Sequence, residues 1–154
     1  MLPSTFERVH SNTADEINDQ IRRQTKANVE QVAAAGRGAI AHRLRELEEE
    51  WDIERYVETM APTFSLIGLT LGVTTDRRWL LLPIVVQAFF LQHALQGWCP
   101  PIPVLRRLGV RTTEEIAAER YALKALRGDF IDVSRTAVEE DPAAAAAAFK
   151  AATA

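Results

Sequence analysis

Four residues near the middle of the chain could carry chemistry: Gln92, His93, Gln96 and Cys99. Gln96 follows Gln92 by four residues and His93 by three, so on a helix these three share one face. Polar groups inside an apolar segment turn toward protein or water rather than lipid. The face therefore reads as a small polar pocket or a proton-handling His93, or more plainly as interhelical hydrogen bonding. Cys99 is the only cysteine, which excludes an internal disulfide and any CxxC motif. Its thiol could react if Arg106 or Arg107 stabilised the thiolate. Filling a tight corner as a small apolar residue is the plainer role. No metal site and no cofactor are expected, because His93 has no set of ligating neighbours at metal-binding spacing. No nucleophile–base pair, phosphate loop or carboxylate cluster stands out, so the chain does not read as an enzyme.

The elements that must position these residues are two apolar runs, 60–75 and 79–98, joined by Asp76-Arg77-Arg78. Apart from His93, neither run contains an ionisable basic or acidic residue. A bilayer core about 30 Å thick needs roughly 20 apolar helical residues. The second run meets that length and the first falls somewhat short. Leu80-Leu81-Leu82, Ile84-Val85-Val86 and Phe89-Phe90-Leu91 are apolar all round, leaving no polar stripe for water. Trp51, Tyr56 and Trp98 would anchor one interface and Trp79 the other. A buried hairpin in a soluble bundle is the competing account.

Composition alone conceals this. The chain has 154 residues, net charge −3 and 25% charged residues, with a mean hydropathy of −0.10. Polar thirds bracket the apolar centre, and the charge balance provides no basic field for nucleic acid. The first residues have no apolar signal-peptide core, so the hairpin is expected to act as the insertion signal. Arg43, Arg45, Arg55, Arg106, Arg107 and Arg111 flank the runs, against Arg77 and Arg78 in the link, which places both termini in the cytoplasm.

In order, residues 1–12 read as an irregular lead. Residues 13–58 form a polar helical juxtamembrane region, opened by a Thr13–Glu16 capping box and broken at Gly36-Arg37-Gly38. Its second helix, from Ile40 to about Val57, carries the stripe Ile40, Leu44, Leu47, Trp51. That stripe reads as packing on its own neighbours or on lipid, with a partner surface as the sharper alternative. Residues 59–112 hold the hairpin and its Gly-Trp-Cys-Pro corner. Ala61, Ser65, Gly68 and Gly72 make a small-residue packing face including a GxxxG, fit either for the second run or for a second copy of the chain. Residues 112–128 form an amphipathic helix capped by Thr112 and Glu115, whose Ile116, Leu123 and Leu126 would dock on the hairpin or the interface. The Ala-rich residues 129–154 read as a flexible tail, in which Asp141-Pro142 could cap a short helix through Ala143–Ala148 and Phe149.

The expected fold is therefore all-α: a two-helix transmembrane hairpin with cytoplasmic or interfacial amphipathic helices on both flanks. The hairpin followed by Gly97-x-Cys99-Pro100, then Val104-Leu105 and Leu108-Gly109, resembles the YgaP-like transmembrane domain family across about residues 60–112. Trp51-Asp52-Ile53-Glu54-Arg55 and the segment 119–124 resemble flanks of its longer members. The resemblance implies a small bacterial inner-membrane hairpin, in some members fused to rhodanese. No Cys-x-x-Gly-x-Arg loop is present, so sulfurtransferase activity does not carry over. The expected role is a non-catalytic membrane protein whose partners are the lipid bilayer and a second copy or another membrane protein. A sulfur or redox accessory using Cys99, and a soluble helical interaction protein, are the alternatives.

Overall fold

The computed structural model describes residues 4, 6–131 and 142–153, and every regular element among them is helical. The helices are α1 (Asp15–Ala34), α2 (Arg37–Glu49), α3 (Ile53–Thr74), α4 (Leu81–Gln96), α5 (Ile102–Arg107), α6 (Thr113–Arg127) and α7 (Pro142–Thr153), with 3₁₀ turns at His10–Asn12 and Arg77–Leu80. The chain separates into two compact units, Met1–Arg23 with Trp51–Glu115 and Gln24–Glu50 with Ile116–Ala154.

The first unit is built on α3 and α4, which pack against each other through the Arg77–Leu80 turn. Asp52 starts α3: its carboxylate accepts from the Arg55 N–H at 2.8 Å, satisfying one of the open donors of the first turn. The helix predicted to run from Ile40 to about Val57 is thus two helices, because Glu50 is extended and Asp52 caps afresh. Asp76 repeats the device at the other end, accepting from the Arg78 N–H at 2.8 Å.

The small residues of α3 explain how close the two helices come. Ala61, Ser65, Gly68 and Gly72 are all buried. A Cβ on Gly68 would sit 2.5 Å from Pro83 Cδ, and one on Gly72 would sit 2.5 Å from Leu80 Cδ2. Gln87 Nε2 donates to Ser65 Oγ at 2.9 Å, and Ser65 Oγ donates to the Ala61 carbonyl at 2.8 Å. This stripe is occupied by α4 and its leading turn, not left open for a second copy.

Below the hairpin, Val9, Ile53, Val57, Cys99, Ile102 and Leu105 form the core of the unit, with Tyr56, Phe90 and Val110 against it. Two expectations change here. Residues 6–12, expected as an irregular lead, place Val9 in that core and form a 3₁₀ turn. The Thr13 hydroxyl donates to the Val9 carbonyl at 2.8 Å, drawn back by that turn, and α1 starts at Asp15. Beyond the Gly-Trp-Cys-Pro corner Pro101 caps α5, whose Ile102 and Leu105 fold into the core.

The second unit has its own cluster: Ile40, Leu44 and Leu47 of α2 and Ile116 and Leu123 of α6, flanked by Val29 and Val32 of α1. Ile40, Leu44 and Leu47 of the predicted stripe are therefore buried within the chain, while Trp51 is exposed. The apolar side of α6 packs there too, with Leu126 left exposed. Arg43 bridges the same helices, its Nε 2.8 Å from Glu119 Oε1. Residues 142–153 form α7, and buried Lys124 donates to the carbonyls of Ala152 at 2.9 Å and Ala151 at 3.3 Å. A lysine on the last carbonyls of a helix satisfies acceptors that have no intrahelical partner. Burial pushes the Lys124 amine below its ordinary value. The expected Asp141 cap lies outside the described residues.

Among the described residues one helical segment, Arg77–Gln96, is long and apolar enough to cross a membrane. The expectation of two such segments is met in part only: α3 is continuous over 22 residues, but its first turns carry Glu54, Arg55 and Glu58.

Candidate functional site

The C-terminal end of α4 is where chemistry-bearing side chains gather. Gly97 ends the helix in the left-handed conformation (φ 74°), and its N–H bonds the His93 carbonyl. Only glycine fits: a Cβ there would lie 2.3 Å from the Arg8 carbonyl carbon. That close approach lets the N-terminal segment lock the helix end. Arg8 Nη1 donates to the Ala94 carbonyl at 2.9 Å, and Asn12 Nδ2 donates to the Gln96 carbonyl at 2.8 Å.

Arg8 also holds Glu54 through Nη2 and Oε1 at 2.8 Å. The second oxygen of Glu54 lies 2.8 Å from His93 Nε2. The imidazole is buried, and its Nδ1 makes no hydrogen bond. Arg8, Glu54 and His93 thus form a line of cation, carboxylate and imidazole that orients the ring. Among the described residues no group of three His, Cys, Asp or Glu side chains could hold a metal ion.

Cys99 is 3% exposed. It forms part of the wall of an apolar cavity of about 180 Å³ lined also by Val57, Ala61, Phe64, Val86 and Phe89.

A second polar assembly anchors the corner. Arg106, fully buried, donates from both terminal nitrogens to Glu115 at 2.6 and 2.8 Å, and also to Asn18 Oδ1 at 2.8 Å and the Val110 carbonyl at 3.2 Å. Glu115 accepts in addition from the Thr112 N–H at 2.9 Å, while its own N–H reaches Thr112 Oγ1 at 3.3 Å; the Thr112–Glu115 capping box forms as read. Burial works against ionisation of Glu115, but the Arg106 guanidinium and the Thr112 N–H outweigh it and hold the carboxyl below its ordinary value.

Of the sequence candidates, His93 joins this line and Cys99 lines the apolar cavity. Gln96 is exposed and contributes its backbone carbonyl; Gln92 is half-buried on the same helix and takes no part in the line. Arg106, expected to stand beside the thiol, is committed to Glu115. Glu54 and Arg8 were missed by sequence reasoning. The available signal was Glu54 itself, an acid in the first turn of a helix that carries no charge after Glu58. No family model matches the chain, and neither the curated proteins nor the solved structures provide a match.

Proposed function

We propose that the chain is an integral membrane protein of a bacterial inner membrane, inserting α4 together with the apolar part of α3 as a hairpin and acting as a non-catalytic anchor. One observation carries the reading: the segment Arg77–Gln96 is apolar, yet only 11% of its most apolar window is buried. A core helix of a soluble protein would be mostly covered. Leu81, Ile84 and Leu91 are each 60% exposed or more, and Leu66 and Val73 of α3 add to the same apolar exposure. Each such side chain gains roughly 1.5–3 kcal/mol when removed from water. Contiguous apolar patches of this kind mark a membrane or a partner.

The ends agree with the reading. Trp79 sits at the turn beside Arg77 and Arg78, and Trp51 carries Arg55 over its ring at 4.5 Å to the centroid, both being interfacial residue types. Arginine counts put the turn outside and the flanking helices in the cytoplasm. The resemblance to YgaP-like hairpins points the same way. Because α4 fills the small-residue stripe, any homo-oligomer or membrane partner would meet the outer faces of the hairpin.

Carbonate extraction tests the proposal. The protein should stay with the membrane pellet. In a Cys99→Ala background, Asp76→Cys should be labelled by an impermeant maleimide from the periplasm only. Release into the soluble fraction as an oligomer would overturn the reading, and the apolar face would then be a protein interface.

A further inference from the structure

The seam between α3 and α4 changes along its length. At Gly72 and Gly68 the packing leaves no room for a Cβ, and at Ser65 the helices are tied by the bond from Gln87. One turn further, at Ala61, the same small-residue stripe borders the cavity of about 180 Å³ instead. Three parts of the first unit wall it: Val57, Ala61 and Phe64 of α3, Val86 and Phe89 of α4, and Pro100 of the corner. No side chain in the wall carries nitrogen or oxygen. A void of this size strips its walls of contacts and is destabilising while empty. Water is a poor filling, because a buried water needs several polar partners. The fitting occupant is hydrocarbon.

We propose that this cavity binds one acyl chain of a phospholipid from the surrounding leaflet, held between α3, α4 and the Gly-Trp-Cys-Pro corner. The source follows from the rim. Phe64 and Phe89 line the cavity and are also exposed, so its wall is continuous with the apolar face that the membrane reading gives to lipid. Trp98 packs edge-on against Phe89, ring centroids 6.2 Å apart, and as an interfacial residue type marks the headgroup end. From there the wall runs inward along both helices, from Val57 to Phe64 on α3 and from Phe89 to Val86 on α4.

The dimensions suit a chain that is partly enclosed. A cavity of about 180 Å³, set against the roughly 150 Å³ that takes up the six carbons of benzene, encloses about six methylenes. The remainder lies over Phe64 and Phe89. A seated chain restores the contacts the walls lack, and so closes the end of the hairpin that the glycines do not reach. Lipid on the outer faces exchanges freely and in proportion to its concentration, whereas a chain in the cavity is bound saturably, one per protein. The inference rests on the membrane reading for the source of the chain, while binding itself is measured in micelles.

The experiment uses the purified full chain in micelles, in a Trp51→Phe, Trp79→Phe background that leaves Trp98 as the fluorophore. Phosphatidylethanolamine brominated on its acyl chains is titrated in, and quenching and the melting temperature are followed. With the cavity intact, quenching should saturate at one lipid per chain, and the melting temperature should rise with added lipid, as for a ligand that binds the folded state. Val86→Phe, which fills the cavity, should lose both responses. Val85→Phe, on the exposed face of the same helix and outside the cavity, should keep them. Circular dichroism checks folding; if Val86→Phe is not folded, Ala61→Leu fills the cavity from the opposite wall. Native mass spectrometry should find the retained ligand at the mass of a phospholipid; a free fatty acid, or a second copy of the chain, would overturn the source. Quenching that never saturates with the cavity intact, or saturable quenching kept in a folded cavity-filled variant, would overturn the site. If that happens while the protein stays in the carbonate pellet, the site alone fails; release into the soluble fraction removes the membrane reading and with it the lipid source.

Discussion

Replacing either partner of the Arg106–Glu115 pair should destabilise the first unit, and the two replacements should not cost the same. The Arg106 side chain is 0% exposed and Glu115 is 20% exposed. In Arg106→Met the stem volume is largely kept, and the stranded carboxylate can draw on water and on the Thr112 N–H. Hydrogen bonds to charged groups contribute about 1.5–3 kcal/mol each, part of which water restores. The expected cost is about 3 kcal/mol, the lower end for a broken buried pair. In Glu115→Gln the guanidinium stays buried with no counter-charge and no route to solvent, so the expected cost is about 5 kcal/mol, the upper end. Arg106→Met with Glu115→Gln removes the stranded cation, and the pair should be non-additive by about 2 kcal/mol. Trp51, Trp79 and Trp98 all belong to the unit in question. Denaturant titration in micelles by tryptophan fluorescence, checked against far-ultraviolet circular dichroism for a shared transition, therefore reads it. Equal costs, a larger cost for Arg106→Met, or additivity in the double variant would refute the burial argument.

Three further outcomes follow from the packing and charge. Gly68→Ala should cost about 2–3 kcal/mol, since a Cβ there meets the Pro83 ring, whereas Gly72→Ala meets the movable end of Leu80 and should cost about 1 kcal/mol; thermal melts in micelles compare them. The folded Glu115 carboxyl is held below the ordinary value of 4.5. Its stabilisation is thus complete above the unfolded value and drains as the pH falls through the lower folded one. The melting temperature should therefore drop below about pH 4.5 more steeply in wild type than in Glu115→Gln. Lys124→Met should remove the amine that holds the end of α7, at a cost of roughly 1–2 kcal/mol, and hydrogen exchange at residues 148–153 should quicken while α3 and α4 are unchanged.

Legibility in the sequence followed the range of the interaction. The hairpin link, the Thr112–Glu115 box and the small-residue stripe on α3 depend on residues within one or two turns, and periodicity carries that information. The break at Asp52 was hidden because the α2 stripe runs into Trp51 without a change of period. The site was less legible. His93 and Cys99 are six residues apart in chain order, but Glu54 lies 39 residues from His93 and Arg8 lies 46 from Glu54. Asn18 and Arg106 are 88 apart. No local pattern pairs such residues; only the packing of the N-terminal segment against the end of α4 does so. Arginines 106 and 107 looked alike as flanking charges, yet one is buried in a carboxylate and the other is exposed.

The bonds from Arg8 and Asn12 to the last carbonyls of α4 impose an order on biosynthesis. Their partners, Ala94 and Gln96, leave the ribosome 86 and 84 residues later. During synthesis those carbonyls need another partner, such as water, until the N-terminal segment returns to them. Closing so long a loop gains its contacts only at the end, which makes it a late step. The hairpin is thus made before its C-terminal end is fastened, and the fastening residues are ones that preceded it in the chain.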